Sequence, residues 1–219
     1  MTIDLRLGKW QDALAGVECD ALIADPPYSR RTHAGQHENR EGLDFAHLSP
    51  IQVRDFVASW SPRVRGWMCV MCSHDMIPGY ESALRLTGRY VFHPIPIVCR
   101  YIVRLQGDGP GSGVVYMLVS RPRGREYIGS GSRPALYQRR EGDTDAPMRG
   151  GKPLQVMRQI VRDYSAPGDL VCDPFAGSGT TLLAAALEGR RAIGAEVDAG
   201  TAGIAADRIA DFEAQAAAV

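Results

Sequence analysis

The sequence has no excess of charge of either sign, because 25 Lys and Arg residues balance 25 Asp and Glu residues over 219 positions. It therefore lacks a whole-chain positive field, and a site for a polyanion has to come from local clusters of basic residues. It also lacks an apolar run of the ~18 residues that a membrane-spanning helix requires. No basic segment followed by an apolar one stands at the amino terminus, so we expect neither membrane insertion nor secretion.

Cysteine is scarce, and the five cysteines are an odd number scattered mostly through apolar runs. This pattern argues against a disulfide framework and is typical of reduced thiols in a cytoplasmic core. Cys69 and Cys72 form one Cys-x-x-Cys pair, but no second pair follows at a spacing that completes a zinc site. We predict a cytoplasmic protein with one domain over 1–219 and no bound metal.

Patterns of buried strands alternate with helical patterns along most of the chain. Apolar runs at 19–24 and 66–72 are typical of strands buried on both faces of a parallel sheet, and 154–164 shows helical periodicity. Pro94 and Pro96 are expected to break a strand over 90–104. We predict an α/β fold with an open, twisted, mostly parallel sheet of about seven strands and helices on both faces.

The first candidate site is Asp25-Pro26-Pro27-Tyr28, which directly follows the strand at 19–24. Two successive prolines donate no backbone hydrogen bonds and fix φ, so the strand stops and the flanking side chains stand on a stiff turn. A carboxylate beside an aromatic ring suits a flat, hydrogen-bonding substrate such as a nucleobase. The alternative interpretation is an ordinary loop after a strand.

The second candidate site is the glycine-rich turn at 173–180, between a strand and a helix. Gly177 and Gly179 allow the backbone to approach a ligand closely, and the start of the helix offers free N–H groups. Glu196 ends the next strand about twenty residues on, where a carboxylate can accept ribose hydroxyls. Leu182 stands where a dinucleotide fingerprint has its third glycine, so we expect a cofactor with a single nucleoside instead.

Two polar segments lie outside these patterns. The polar composition and the length of 29–48 predict either a substrate lid or a disordered loop. Residues 121–151 have little periodicity and many Arg, Gly and Ser, which is typical of an inserted segment for nucleic-acid recognition, or of a solvated surface. The candidate nucleic-acid contacts are Arg30, Arg31, Arg121, Arg123, Arg125, Arg139 and Arg140.

The two sites together resemble the S-adenosylmethionine-dependent amino-methyltransferases of DNA. The catalytic motif at 25–28 precedes the cofactor motif Asp173-Pro-Phe-Ala-Gly-Ser-Gly-Thr180, as in the circularly permuted beta group. Lys152-Pro153-Leu154 matches the element before the cofactor strand, and Gly194-x-Glu196 matches the strand after it. The resemblance covers nearly the whole chain and implies a Rossmann-like methyltransferase fold.

The resemblance also implies an activity and its residues. S-adenosylmethionine would donate a methyl group to the N6 amino group of an adenine extruded from double-stranded DNA. Asp25 and the Pro26 carbonyl would accept hydrogen bonds from the amine, and Tyr28 would stack on the base. Asp rather than Ser at the start of the motif favours adenine over cytosine. The implied catalytic residues are Asp25, Pro26, Pro27 and Tyr28, and the implied cofactor residues are Asp25, Lys152, Asp173, Pro174, Phe175, Ala176, Gly177, Ser178, Gly179, Thr180, Thr181 and Glu196.

The sequence departs from the family at the adenine pocket of the cofactor. The family has Gly-Asp where this chain has Gly8-Lys9, so Trp10 or Asp12 replaces that acid, or backbone and packing hold the adenine. The short recognition segment implies loose specificity, contacts from 29–48, or a homodimer, and a cognate restriction enzyme is a further expected partner. The alternative functions are cytosine-N4, RNA or protein-glutamine methylation, or a silent binding module.

Overall fold

The computed structural model describes residues 2–28, 48–98, 113–124, 132–140, 143 and 151–217. The strands are β1 (Ile3–Leu7), β2 (Ala21–Ala24), β3 (Met68–Cys72), β4 (Tyr90–Val91), β5 (Ile95–Val98), β6 (Val114–Arg121), β7 (Tyr137–Gln138), β8 (Leu170–Asp173) and β9 (Arg191–Glu196). The helices are α1 (Trp10–Ala13), α2 (Pro50–Trp60), α3 (Ile77–Leu86), α4 (Leu154–Tyr164), α5 (Thr180–Leu187) and α6 (Ala199–Ala217).

The strands form one sheet in the order β1-β9-β8-β2-β3-β6-β5-β7, with β4 also paired to β6. The first five strands of this order are parallel to one another. β6 runs antiparallel to β3 and to β5, and β7 is parallel to β5. The predicted mostly parallel α/β sheet is confirmed, and the described residues form nine strands rather than about seven.

The sheet changes direction of winding between β2 and β8, which are neighbours. From β2 the chain continues to β3 on one side, whereas from β8 it continues to β9 on the other. Ligands of open α/β sheets bind at the carboxyl ends of strands at such a switch point. The topology alone therefore places a binding crevice beyond the ends of β2 and β8.

Alternate residues of the central strands pack against two different layers of helices. In β3, Met68, Val70 and Cys72 belong to a buried cluster with α1, α2 and α3. Cys69 and Met71 belong to the cluster on the other face, with α4, α5 and α6. Because both faces are covered, β2 and β3 are apolar throughout, as the sequence predicted.

The structure differs from the prediction at Pro96. Pro94 separates β4 from β5 as expected, but Pro96 lies inside β5, in register with Tyr116. In the described sheet β7 pairs with β5 at Ile97 and Val98, one step beyond Pro96. The missing N–H of Pro96 therefore falls where this side of the strand is unpaired, which is the position at which a sheet tolerates proline.

The structure also differs at β7, inside the segment predicted to be an insertion. Tyr137 is fully buried, and its hydroxyl donates a hydrogen bond to Asp163 Oδ2 at 2.6 Å. Tyr137–Gln138 extends the sheet beside β5, so this part of 121–151 belongs to the core. A strand of two residues is too short to produce a periodicity in the sequence. The lid predicted at 29–48 lies, except for Leu48, outside the described residues.

Candidate active site

Three carboxylates stand at neighbouring strand ends around the switch point. Asp25 directly follows β2, Asp173 is the last residue of β8, and Glu196 is the last residue of β9. These strands are parallel and adjacent, so their carboxyl ends lie at one edge of the sheet. The fold thus brings together two motifs that are nearly 150 residues apart.

Asp25, Tyr28 and Lys152 form a hydrogen-bonded group that we call the Asp25 cluster. The Tyr28 hydroxyl donates to Asp25 Oδ1 at 2.7 Å. Lys152 Nζ donates to the Tyr28 hydroxyl at 2.9 Å and also to Asp25 Oδ2. The Lys152 side chain is 6% exposed, against 24% for Asp25, so the carboxylate is the partner that is more accessible to a ligand.

The start of α4 positions Lys152. Pro153 is the N-cap residue of α4 and is extended, with φ −60° and ψ 133°, a conformation that proline favours. One face of α4 packs on the sheet through Val156, Met157 and Ile160. Because the helix is fixed in this way, the residue just before its cap reaches the end of β2. The Lys-Pro-Leu element of the sequence therefore contributes its lysine to the Asp25 cluster.

The glycine-rich turn after β8 packs tightly against its surroundings. Gly177 and Gly179 have φ of +52° and +78°, which other residues rarely adopt. A Cβ at Gly179 would lie 3.2 Å from Ala205 Cβ, and a Cβ at Gly194 in β9 would lie 2.9 Å from the Asp173 carbonyl oxygen. Both glycines are thus required for the close approach of the turn, α6 and β9.

Glu196 ties the turn to the end of β9. Its Oε2 accepts a hydrogen bond from the Gly177 N–H, and its Oε1 accepts one from the Asp198 N–H, both at 2.9 Å. The residue is 8% exposed. Each carboxylate oxygen has a second lone pair, so Glu196 is oriented by the protein and can still accept hydrogen bonds from hydroxyl groups.

Asp173 is a buried carboxyl group with an unusual pKa. It is 1% exposed, and burial raises its pKa to about 7, in the same direction as the nearby charges of Asp25 and Glu196. Hydrogen bonds from the Thr181 side chain and the Phe175 N–H oppose this shift, the latter at 3.0 Å. A cation beside Asp173 would favour its ionised form, so the site fits a ligand with an ammonium group.

Arg208 in α6 is a site residue that the sequence interpretation missed. Its Nη1 donates to Ser178 Oγ at 3.2 Å, to Thr180 Oγ1 at 3.1 Å and to the Ser178 carbonyl. Burial lowers the pKa of Arg208. Two of the predicted cofactor residues thus help to fix the turn to α6. An arginine inside an amphipathic helix gives no distinctive sequence signal, which explains the omission.

The region around Gly8 contains the residues considered for the cofactor adenine. The Gly8 N–H donates to the Glu196 carbonyl at 2.8 Å, which places the end of β1 beside β9. The Trp10 ring packs 5.6 Å from that of Phe56, which in turn lies 5.4 Å from the ring of Phe175 in the turn. Asp12 is exposed. The structure therefore joins Trp10, rather than Asp12, to the aromatic residues of the turn.

Comparison with known sequences finds similarity over the part of the chain that contains the carboxyl-terminal half of the candidate site. Residues 134–207 match the family model described as DNA methylase. The match covers less than half of the chain and includes Lys152, the glycine-rich turn and Glu196. DNA adenine methyltransferase YhdJ of Escherichia coli (strain K12) is 47% identical over 47 residues, which are 22% of this chain and 16% of YhdJ. Alignments with two other curated relatives span 13% and 34% of their lengths, so the chain matches only a part of each.

The similarity in fold to known DNA methylase structures extends over nearly the whole chain. The crystal structure of an M1.HpyAVI–SAM complex matches with a TM-score of 0.73 and 21% identity, over 95% of this chain and 99% of that one. PvuII DNA methyltransferase, described as cytosine-N4-specific, matches with a TM-score of 0.63 and 16% identity, over 94% and 86%. The predicted methyltransferase fold and the resemblance inferred from the motifs are confirmed.

The arginines predicted to bind nucleic acid lie at different edges of the sheet. Arg121 ends the antiparallel strand β6, so it and Arg123 lie at the edge opposite Asp25, where both guanidinium groups stack near Tyr90. Arg139 and Arg140 directly follow β7, which is parallel to β5, and they lie at the same edge of the sheet as Asp25. Arg30, Arg31 and Arg125 lie outside the described residues.

The described cysteines Cys19, Cys69, Cys72 and Cys172 are buried free thiols. Burial raises the pKa of Cys72 to about 12, so its thiol stays protonated at neutral pH. Within the described ranges, no group of three or more His, Cys, Asp or Glu is arranged to hold a metal ion. None of the helices that the structure describes is long and apolar enough to cross a membrane.

Proposed function

We propose that the protein transfers a methyl group from S-adenosylmethionine to the N6 amino group of an adenine extruded from DNA. The observation that carries the proposal is the convergence of the Asp25 cluster with Asp173 and Glu196 at one switch point. An acceptor for an amine and two acceptors for a cofactor thus share one crevice. The DNA methylase match over 134–207 supports the same chemistry.

The turn after β8 would hold the cofactor, which when bound supplies an electrophilic methyl group on a sulfonium. Asp173, with a pKa of about 7, would pair with the ammonium of the methionine part. Thr180 Oγ1 accepts a hydrogen bond from Arg208, so its own O–H remains to donate to the carboxylate. Glu196 would accept the ribose hydroxyls through its remaining lone pairs.

The turn after β2 would activate the amine. An exocyclic amino group is a poor nucleophile because its lone pair is delocalised into the ring. Asp25 and the Pro26 carbonyl would each accept a hydrogen bond from one N–H of the amine and so localise that lone pair, and a preorganised acceptor is worth most in a site that excludes water. The Tyr28 ring, whose hydroxyl is held by Asp25 and Lys152, would stack on the base and offset part of the few kcal/mol that extrusion costs.

The identity of the modified base is tested by nucleoside analysis. Duplex DNA incubated with the protein and isotope-labelled S-adenosylmethionine is expected to yield labelled N6-methyladenine, measured by mass spectrometry after digestion. Asp25 at the start of the motif and the similarity to YhdJ support adenine, whereas the fold similarity to PvuII methyltransferase keeps cytosine-N4 as the second candidate. Label only in N4-methylcytosine would refute the adenine assignment. Parallel incubations replace the DNA by RNA or by protein, and label only in RNA or in protein glutamine would refute the DNA substrate.

The position of the arginines predicts which of them bind DNA. Replacing Arg139 and Arg140 by Gln is expected to weaken DNA binding and to flatten the plot of log Kd against log salt by about 0.9 for each phosphate that is no longer neutralised. Both lie at the edge of Asp25. Arg123→Gln is the matched control, since Arg123 is exposed at the opposite edge and its replacement should leave the slope unchanged. A flatter slope in the control alone would reverse the assignment.

A further inference from the structure

Lys152 is exceptional in the composition of this chain. Of the 25 Lys and Arg residues only two are Lys, at positions 9 and 152. Lys9 is exposed, whereas Lys152 is buried with 6% of its surface exposed. A chain that uses arginine almost everywhere thus has a lysine at its buried basic position in the candidate active site.

The contacts of Lys152 connect the two side chains of the catalytic motif. Its ammonium donates to Asp25 Oδ2 and, at 2.9 Å, to the Tyr28 hydroxyl. That hydroxyl donates to Asp25 Oδ1 at 2.7 Å. Nζ also lies 5.3 Å from the centroid of the Tyr28 ring. Lys152 therefore fixes the direction of the carboxylate and the plane of the ring at once.

We propose that Lys152 is a positioning residue of the amine-binding site, acting through Asp25 and Tyr28, and that it is not a ligand of the cofactor. Two donors hold the Asp25 carboxylate from its two oxygens, and each oxygen keeps a second lone pair for the amine of the base. An ammonium is a compact charge with three donors, which suits two acceptors close together in a buried position. The planar fork of arginine suits a bidentate pair instead.

This inference rests on the proposed function for its catalytic consequence, but the contact itself is tested without cofactor or DNA. Lys152→Met keeps most of the side-chain volume and removes the charge, so it leaves Asp25 unpaired and is expected to lower Tm by roughly 5 °C. In an Asp25→Asn background the same replacement should lower Tm far less, because no charge is left unpaired. Equal decreases in both backgrounds would show that the two side chains do not interact, and would overturn the proposal.

The catalytic role is tested by single-turnover rates and by calorimetry. Lys152→Met is expected to lower the rate of methyl transfer about 10–100-fold, while the Kd of S-adenosylmethionine stays nearly unchanged. If Lys152 acts through the Tyr28 hydroxyl, Tyr28→Phe should add little to the decrease in the double variant, because the two effects are coupled. Arg65→Met, at an exposed ion pair, is the control.

The outcomes separate this inference from the proposed function. A large rise in the Kd of S-adenosylmethionine in Lys152→Met would make Lys152 a cofactor residue and overturn the proposal. Full activity of Lys152→Met, or additive decreases with Tyr28→Phe, would overturn it as well. A wild-type protein that methylates no DNA, yet shows the coupled decreases in Tm, would refute the proposed function and leave Lys152 as the residue that positions Asp25.

Discussion

Asp25→Ala is expected to lower the rate of methyl transfer about 1,000-fold. The carboxylate is the acceptor that stands at the switch point, with 24% of its side chain exposed. Its replacement removes a hydrogen bond that forms on the reacting amine, where charge develops in the transition state. Single-turnover assays with labelled S-adenosylmethionine measure the effect.

The cofactor affinity of the Asp25→Ala variant should remain close to that of the wild type, because Asp173, Glu196 and the turn are unchanged. Calorimetry measures this affinity separately from turnover. Asp211→Ala provides a matched control, since Asp211 is exposed on α6 and its replacement should change neither quantity. Full activity of Asp25→Ala would remove the proposed mechanism.

Replacement of Asp25 also leaves the buried Lys152 ammonium without its carboxylate partner, and an unpaired buried charge destabilises a protein. The double variant Asp25→Ala with Lys152→Met removes both charges and should recover most of the Tm. If its activity stays as low as that of Asp25→Ala, the decrease in rate belongs to the missing acceptor and not to a misfolded protein.

Local patterns in the sequence were sufficient to predict the strand ends at which the candidate site lies. Asp25-Pro26-Pro27-Tyr28 stops β2 because proline cannot continue it, and the turn at 173–180 follows β8 because its glycines permit left-handed φ. Both features depend on a few consecutive residues. The parallel strands then bring them to one edge without any further information from the sequence.

Contacts between distant parts of the chain could not be predicted in the same way. The ammonium of Lys152 reaches Asp25 across 127 positions, and Arg208 reaches Ser178 across 30. Neither pair leaves a periodic pattern. The placement of Arg121 depends on the antiparallel direction of β6, which the apolar composition of that strand does not reveal. Arginines that are close together in the sequence therefore lie at two different edges of the sheet.

Asp173→Asn is expected to make the protein more stable at pH 8 and to leave its stability little changed near pH 4. In the folded protein burial raises the pKa of Asp173 from 3.8 to about 7. The folded state therefore binds a proton that the unfolded state has released between these two values. The stability that this bound proton contributes is complete at a pH below the pKa of Asp173 in the unfolded state. It is lost as the pH rises through about 7.

The size of the effect follows from the shift. A shift of about three units corresponds to about 4 kcal/mol in the free energy of unfolding. Asparagine has no proton to lose, so the difference in stability between Asp173→Asn and wild type should grow by up to this amount from pH 4 to pH 8 and then level off. Urea unfolding across this range measures it, with Asp211→Asn as the exposed control. A difference that does not vary with pH would show that Asp173 keeps an ordinary pKa.

The same carboxylate should couple cofactor binding to pH in the opposite direction. An ammonium beside Asp173 favours its ionised form, so S-adenosylmethionine is expected to bind more tightly as pH rises to about 7 and to release close to one proton below that value. Calorimetry in two buffers with different ionisation enthalpies counts this proton. Asp173→Asn should bind the cofactor weakly and without proton release. Asp173 would then destabilise the folded protein at neutral pH, because its negative charge is buried. The same buried charge would bind the cationic ligand.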